Sequence, residues 1–269
     1  MKSLTFAVIG IGNMGRVHAA NLFAHRVKGA RLIAVADIAD EPLEWAKKAI
    51  PGIPLYRDYQ ALILQEKPDA VVVVTPHYLH IEIGEFCLRH GVHTLIEKPL
   101  AVTAKEARKI VELHRSYPSL VSGVAFNQRS NPVYRKAKEL VPALGEIRSG
   151  RYEISDWYRP DSYYRMNPWR GSYRLEGGGG LINQCHHQLD LIVWLLGLPL
   201  SVEAHLKTVN RYVSGENDVL ALFHYPNFDF VFSASLHDLK GINFLDLSGD
   251  KGRLNIEKTA MKAYFHEDE

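Results

Sequence analysis

Leu4-Thr5-Phe6-Ala7-Val8-Ile9-Gly10-Ile11-Gly12-Asn13-Met14-Gly15 is the stretch whose reading decides the fold. Its first six residues are an apolar run of the length and β-branched content of a buried strand. G-x-G-x-x-G follows at once and leads into a helical pattern through Val17, Asn21 and Leu22, the strand–turn–helix setting that this motif requires. The glycines permit a tight turn and the close approach of a pyrophosphate, whose charge meets the helix N-terminus. Gly10, Gly12, Asn13 and Met14 are therefore candidate cofactor contacts. The alternative is a packing turn in an ordinary α/β domain.

A second apolar run over residues 31–36 ends in Asp37, about 20 residues beyond the last glycine. A carboxylate there accepts hydrogen bonds from the adenosine ribose and repels a 2′-phosphate. With no arginine just after it, the expected cofactor is NAD and not NADP. The alternation then continues: helical patterns over 41–50 and 59–65 separate Leu55-Tyr56 from the apolar run 70–74. A further helix carries His80 and Cys87 to the strand 92–96. Thr103 is an N-cap for a helix over 104–115, with Glu106 at the capping-box position. Residues 120–123 make a sixth strand. Strands separated by helix-length segments predict an α/β fold with a doubly wound parallel sheet over residues 1–122.

Glu97-Lys98-Pro99 follows the fifth strand, at the carboxyl edge where open α/β sheets bind their ligands. Pro99 fixes its own φ and drives Lys98 towards an extended conformation, so a stiff backbone aims the ammonium. By spacing alone, a solvated turn lysine is as good a reading. Thr75-Pro76 ends the fourth strand in the same way, and His80 follows as either a structural helix histidine or a ligand contact.

The 269 residues, 46% hydrophobic and 23% charged with a formal net charge of +2, suit a globular protein with a real core. That balance gives no electrostatic case for nucleic acid or a membrane surface. Cys87 and Cys185 lie far apart without metal-ligand spacing, and a reduced, cytoplasmic protein without a bound metal is the expectation. Met1-Lys2-Ser3 leads straight into a strand-like run and not into a signal peptide.

After Gly123 the rhythm changes, and residues 123–269 read as a second, α+β domain. A loop rich in aromatics and arginine carries Trp157-Tyr158-Arg159, Tyr163-Tyr164 and Trp169-Arg170-Gly171. Aromatic faces beside arginine forks suit a polyhydroxylated ring, so Tyr163, Tyr164, Trp169 and Arg170 are candidate substrate contacts. A surface or interface loop is the alternative. Gly177-Gly178-Gly179-Gly180 then precedes a helical pattern that starts at Leu181 and stops at Gly197. It would place Asn183, His187 and Asp190 on one face, with His186 turned away. The glycines allow another backbone or a ligand to come close.

Taken together, these motifs resemble the Gfo/Idh/MocA family of nicotinamide-dependent oxidoreductases over essentially the whole chain. The resemblance is carried by Gly10-x-Gly12-x-x-Gly15, Thr75-Pro76 with His80, Glu97-Lys98-Pro99, and Gly177-Gly178-Gly179 followed by His187 and Asp190. It implies a Rossmann domain and a second domain with an open, mostly antiparallel sheet. It also implies an active site in the cleft between them, acting on sugars or cyclitols, with Lys98 and His187 as the catalytic pair. Thr75, Pro76, His80, Glu97 and Lys98 are carried over as cofactor-side residues, and the Lys98–Pro99 bond as cis. Two features depart from the family. Asn183 stands where many members have aspartate, which leaves it able to orient a hydroxyl but not to take a proton. Only residues 253–269 follow the turn Ser248-Gly249-Asp250-Lys251-Gly252, so the C-terminal domain is expected to be incomplete. The resemblance implies an NAD-dependent dehydrogenase of a secondary alcohol. The sheet edge left without its completing segment is expected to pair with another chain, giving a homodimer or homotetramer. An NAD-dependent glycosidase using transient oxidation, and a non-catalytic NAD-binding regulator, are the rival readings.

Overall fold

The computed structural model describes residues 3–167 and 169–266. Met1 and Lys2, read as leading into the first strand, and residues 267–269 of the chain's end lie outside the described residues. Contacts divide the chain into two units, Met1–Ala125 and Phe126–Glu269.

The first unit alternates strand and helix: β1 (Leu4–Ile9), α1 (Asn13–Phe23), β2 (Ala30–Ala36), α2 (Asp40–Ala49), β3 (Leu55–Tyr56), α3 (Tyr59–Glu66), β4 (Ala70–Val73), α4 (His80–Arg89), β5 (His93–Ile96), α5 (Ala104–Arg115) and β6 (Ser122–Val124). The strands form one sheet in the order β3-β2-β1-β4-β5-β6, parallel throughout. Its central strands are buried on both faces, as continuous apolar runs in a parallel sheet require. Alternate residues serve opposite cores. Ala7, Ile9, Val71 and Val73 pack with Leu62, Ile83, Leu88 and Ile110 from α3, α4 and α5. Val8, Val35 and Val72 pack with Ala19, Leu22 and Ala46 from α1 and α2. Thr103 and Glu106 close the expected capping box on α5.

The second unit contains α6 (Pro132–Leu140), β7 (Ile147–Ile154), α7 (Asp161–Arg165), α8 (His186–Leu196), β8 (Ser201–Lys207), β9 (Asp218–His224), β10 (Asp229–Ser235), β11 (Asn243–Gly249), β12 (Gly252–Glu257) and β13 (Ala260–Phe265). Its sheet runs β13-β12-β11-β7-β10-β9-β8, and only the β10–β7 pairing is parallel. One face carries the core, where Tyr152, Ile154, Phe230, Phe232, Leu245 and Leu247 meet Tyr134 and Ala137 of α6 and Leu191 and Leu195 of α8. Gly197, at φ 85°, ends α8 where the pattern places its stop.

Two expectations for this unit are corrected. The helix starts at His186 and not at Leu181, so Asn183 does not share a helix face with His187 and Asp190. The cause is a buried carboxylate: Glu216 accepts the amide protons of Gly179 (3.1 Å) and Leu181 (2.9 Å), and residues 181–185 turn around it. A β-carbon on Gly179 would collide with the Glu216 backbone, so the glycine run admits another backbone segment at this point. The aromatic segment is also not all loop, because Tyr163 and Tyr164 lie on the short helix α7.

Candidate active site

The glycine turn sits at the carboxyl end of β1. Gly10 adopts φ 91°, and a β-carbon there would lie 2.6 Å from the Val74 carbonyl oxygen. One on Gly15 would run into the Gly10 carbonyl. Both glycines are thus explained by packing of the turn against β4 and of α1 against the turn. Gly12 is different: a β-carbon there would meet no described atom within 4 Å. Its bare backbone is open to approach from outside, as a pyrophosphate at the helix N-terminus would require. Asn13 and Met14 form the first turn of α1, and that turn holds no acidic residue to oppose an anion.

Asp37, just after β2, accepts the Ile11 amide proton at Oδ2 (2.7 Å) and the Ala39 amide proton at Oδ1 (2.9 Å). These bonds lock the carboxylate beside the glycine turn, and each oxygen retains a further acceptor position for a ribose hydroxyl. The sequence shows no arginine directly after Asp37, yet the fold brings one close. Arg57 donates to the Ile38 carbonyl at 3.1 Å and is held by Asp40.

The carboxyl ends of β4 and β5 are tied together by His80. This residue is fully buried, with Nδ1 2.8 Å from the Pro99 carbonyl and Nε2 2.8 Å from the Thr75 carbonyl. One side chain therefore stands between Thr75-Pro76 and the Glu97-Lys98-Pro99 turn, where the Lys98–Pro99 bond is cis, and as a neutral ring it donates to one of the two carbonyls. Burial depresses the His80 pKa by more than the two carbonyls and the nearby Glu97 raise it. Glu97 anchors the other side of Lys98. Its Oε2 accepts the Lys98 amide proton (3.2 Å), and its Oε1 lies 3.0 Å from Nε2 of His18 on α1. Burial raises the Glu97 pKa, but the His18 hydrogen bond and charge, with help from Lys98, bring it below the ordinary carboxylate value. Sequence reasoning missed His18, although it stands one helical turn beyond Gly15 on the helix that starts at the glycine motif. The first unit thus gathers Gly10, Gly12, Asp37, Thr75, His80, Glu97 and Lys98 at one edge of its sheet. A cavity of about 540 Å³ lies at the opposite edge, among Thr5, Arg31 and Asp69 at the amino ends of β1, β2 and β4. No glycine turn or helix N-terminus of the motif faces it, so it is not the dinucleotide site.

In the second unit, a polar network surrounds Tyr163. Its hydroxyl receives Arg170, Asn183 (3.2 Å) and Gln184 (3.0 Å). Asn183 also donates to the buried carboxylate of Glu176, which takes the Gly171 amide as well. Glu176 and Glu216 gave no signal in the sequence, since neither belongs to a spaced motif. Tyr164 packs edge-on to Tyr163 with centroids 5.2 Å apart, and burial pushes its pKa up to about 12. The Arg170 guanidinium lies 4.9 Å from the Trp169 ring centroid. Tyr163, Tyr164, Trp169, Arg170 and Asn183 are therefore neighbours, as a shared substrate site requires.

His187 is the second residue of α8, edge-on to Phe126, whereas His186 stacks flat on the same ring with 6° between planes. Asp190 forms a two-pronged pair with Arg129 (2.8 and 2.5 Å), which fixes the start of α8 to the turn after Phe126. Such a fork orients the helix and its histidine. Lys98 and His187 belong to different units.

A family profile described as "Oxidoreductase family, NAD-binding Rossmann fold" matches residues 4–123, and the GFO/IDH/MocA C-terminal domain profile matches residues 134–255. An inositol 2-dehydrogenase from Rubrobacter xylanophilus is 30% identical over 266 residues, covering 99% of this chain and 67% of that protein. The scyllo-inositol 2-dehydrogenase (NAD(+)) of Bacillus subtilis is 28% identical over 227 residues, covering 83% of this chain and 63% of that protein. Among solved structures, the WlbA dehydrogenase from Bordetella pertussis in complex with NADH and UDP-GlcNAcA aligns with a TM-score of 0.90 at 23% identity, covering 99% of this chain and 84% of that one. At that identity the structural match speaks to the fold.

Proposed function

The chain belongs to the Gfo/Idh/MocA family of oxidoreductases, and on that premise we propose that it is an NAD-dependent dehydrogenase acting on a secondary alcohol of a sugar, sugar derivative or cyclitol. The observation that carries this reading is the Lys98 turn. A lysine at the carboxyl edge of a dinucleotide-binding sheet is fixed by a cis-proline bond, by Glu97 and by the His80 bridge. Relatives that act on inositols support the substrate class.

NAD, when bound, supplies the hydride acceptor for the substrate carbon. The chain's own residues then have separate tasks. Gly12 and the first turn of α1 receive the pyrophosphate, and Asp37 the adenosine ribose. Lys98 stabilises negative charge developing on the substrate oxygen, and His187 takes the proton of that hydroxyl. In the reverse direction protonated His187 returns that proton to the alkoxide, whose charge Lys98 stabilises. Tyr163, Tyr164, Trp169 and Arg170 hold the ring, while Asn183 acts through Glu176 and Tyr163 to set their arrangement.

A cytoplasmic setting is supported by the buried thiols of Cys87 and Cys185, the former pushed by burial to a pKa of about 12. No helix among the described residues is long and apolar enough to cross a membrane. A homo-oligomer is supported by Leu220 and Val231, which stand 51% and 38% exposed on the coreless face of the second sheet. The function is tested by NADH absorbance over a panel of monosaccharides, inositols and sugar acids at alkaline pH. NADH formation with at least one polyol is expected. Glycoside cleavage without net NADH would assign the glycosidase chemistry instead.

A further inference from the structure

Three arginines of the second unit gather near Tyr163. Arg159 and Arg170 lie 4.7 and 4.3 Å from the Tyr163 ring centroid. Arg211 joins them by donating from Nε to the Arg159 carbonyl at 2.8 Å. Its side chain is only 8% exposed, and the nearest carboxylate, Asp161, is 3.9 Å from Nε, beyond hydrogen-bond range. Nη1 of Arg211 donates to the Asn210 carbonyl at 2.6 Å. Nη2 of Arg211, Nε of Arg159 and Nε of Arg170 are buried, and none has an acceptor among the described residues. Glu176, the buried carboxylate of this region, already accepts Asn183 and the Gly171 amide. Of the three arginines, Arg170 lines a cavity of about 320 Å³, together with Asp161, Tyr164, Arg165, Tyr212 and Val213, while Arg159 and Arg211 stand behind that wall. That volume falls in the ~300–1,000 Å³ range of small-molecule sites.

Buried charges are ordinarily paired, and a guanidinium presents a fork that matches the two oxygens of a carboxylate or phosphate. A neutral polyol offers hydroxyl acceptors but does not balance the charge. We propose that Arg159, Arg170 and Arg211 form an anion subsite, so that the substrate is an acidic sugar, carrying a carboxylate or a phosphate beside its ring. The proposal rests on the dehydrogenase reading above and names its substrate class. Burial raises the Tyr164 pKa, and the charges of Arg211 and Arg159 partly offset that rise, which places both guanidiniums within electrostatic reach of its hydroxyl.

The test is isothermal titration of the full chain, saturated with NAD, with D-glucuronate, D-glucose 6-phosphate and D-glucose. At least one acid is expected to bind ~10-fold tighter than glucose or more, the scale of one charge-assisted contact. Which acid is preferred identifies carboxylate or phosphate as the anion. Arg211→Gln and, separately, Arg159→Gln should remove that preference while glucose affinity stays within about twofold; a thermal melt of each variant confirms that it is folded. Equal binding of all three sugars, no binding of either acid, or a preference that persists in both folded variants overturns the subsite. These outcomes are independent of turnover. Acid preference without NADH formation from any sugar would refute the dehydrogenase reading and leave the subsite standing. NADH formation with no acid preference would do the reverse.

Discussion

His80→Leu removes the side chain that bridges Thr75 and Pro99 while keeping a buried apolar group of similar size. In the folded protein, burial keeps the imidazole below its ordinary pKa, so the neutral ring donates one hydrogen bond to one of two carbonyls at 2.8 Å. Losing that donor leaves a buried carbonyl without a partner, at a cost of ~1–3 kcal/mol. At roughly 2–4 °C per kcal/mol, thermal unfolding should come about 2–12 °C earlier. The pH dependence gives a second readout. Below the ordinary histidine value of 6.5 the unfolded chain takes up a proton that folded His80 resists. His80 therefore lowers stability as pH falls through and below 6.5, and its contribution is recovered as pH rises above that value. The leucine variant lacks this titration, so its deficit against the parent should shrink on acidification. Because the bridge holds the Lys98 turn, NADH formation should also fall by more than the unfolded fraction explains. Chemical denaturation at several pH values, with NADH turnover on the folded protein, measures all three. A variant with parental stability, parental acid sensitivity and parental turnover would refute the bridge as a structural element.

The glycine turn gives a paired prediction: Gly15→Ala should destabilise by ~1–3 kcal/mol through its collision with Gly10, whereas Gly12→Ala should melt with the parent and lose NAD affinity, as separate thermal melts and cofactor titrations would show. Asp37→Ala should narrow the NAD-over-NADP preference by about 10-fold, read from the ratio of the two dissociation constants. NAD should weaken as well, because Asp37 also fixes the Ile11 amide. Light scattering at micromolar concentration should give a dimer or larger assembly, and a clean monomer would count against the exposed sheet face as an interface.

Much of the first unit was legible because local signals and tertiary structure agree there. The parallel strands are buried on both faces, and their apolar runs show it. Thr103 with Glu106, and Gly15 against Gly10, are local devices whose geometry depends on near neighbours in the chain. The second unit was less legible where distant groups intervene. Residues 181–185 have helical spacing, but Glu216, brought in from the segment before β9, claims the Gly179 and Leu181 amides, and α8 starts only at His186. Spacing likewise could not show that Arg57 reaches Ile38, that His18 meets Glu97, or that Arg211 packs beside Arg159. Each is a contact between side chains and segments far apart in sequence, for which a single chain carries no periodic signal.

The central claim is that Lys98 and His187 perform the proton chemistry of an NAD-dependent dehydrogenase. The measurement that tests it most directly is the NADH turnover number of the parent, Lys98→Ala and His187→Ala on one working substrate, alongside NAD affinity for each. Both variants are expected to bind NAD nearly as the parent does and to lose turnover by ~10²–10⁴. Parental turnover in either folded variant would contradict the assignment of that residue, and parental turnover in both would contradict the mechanism.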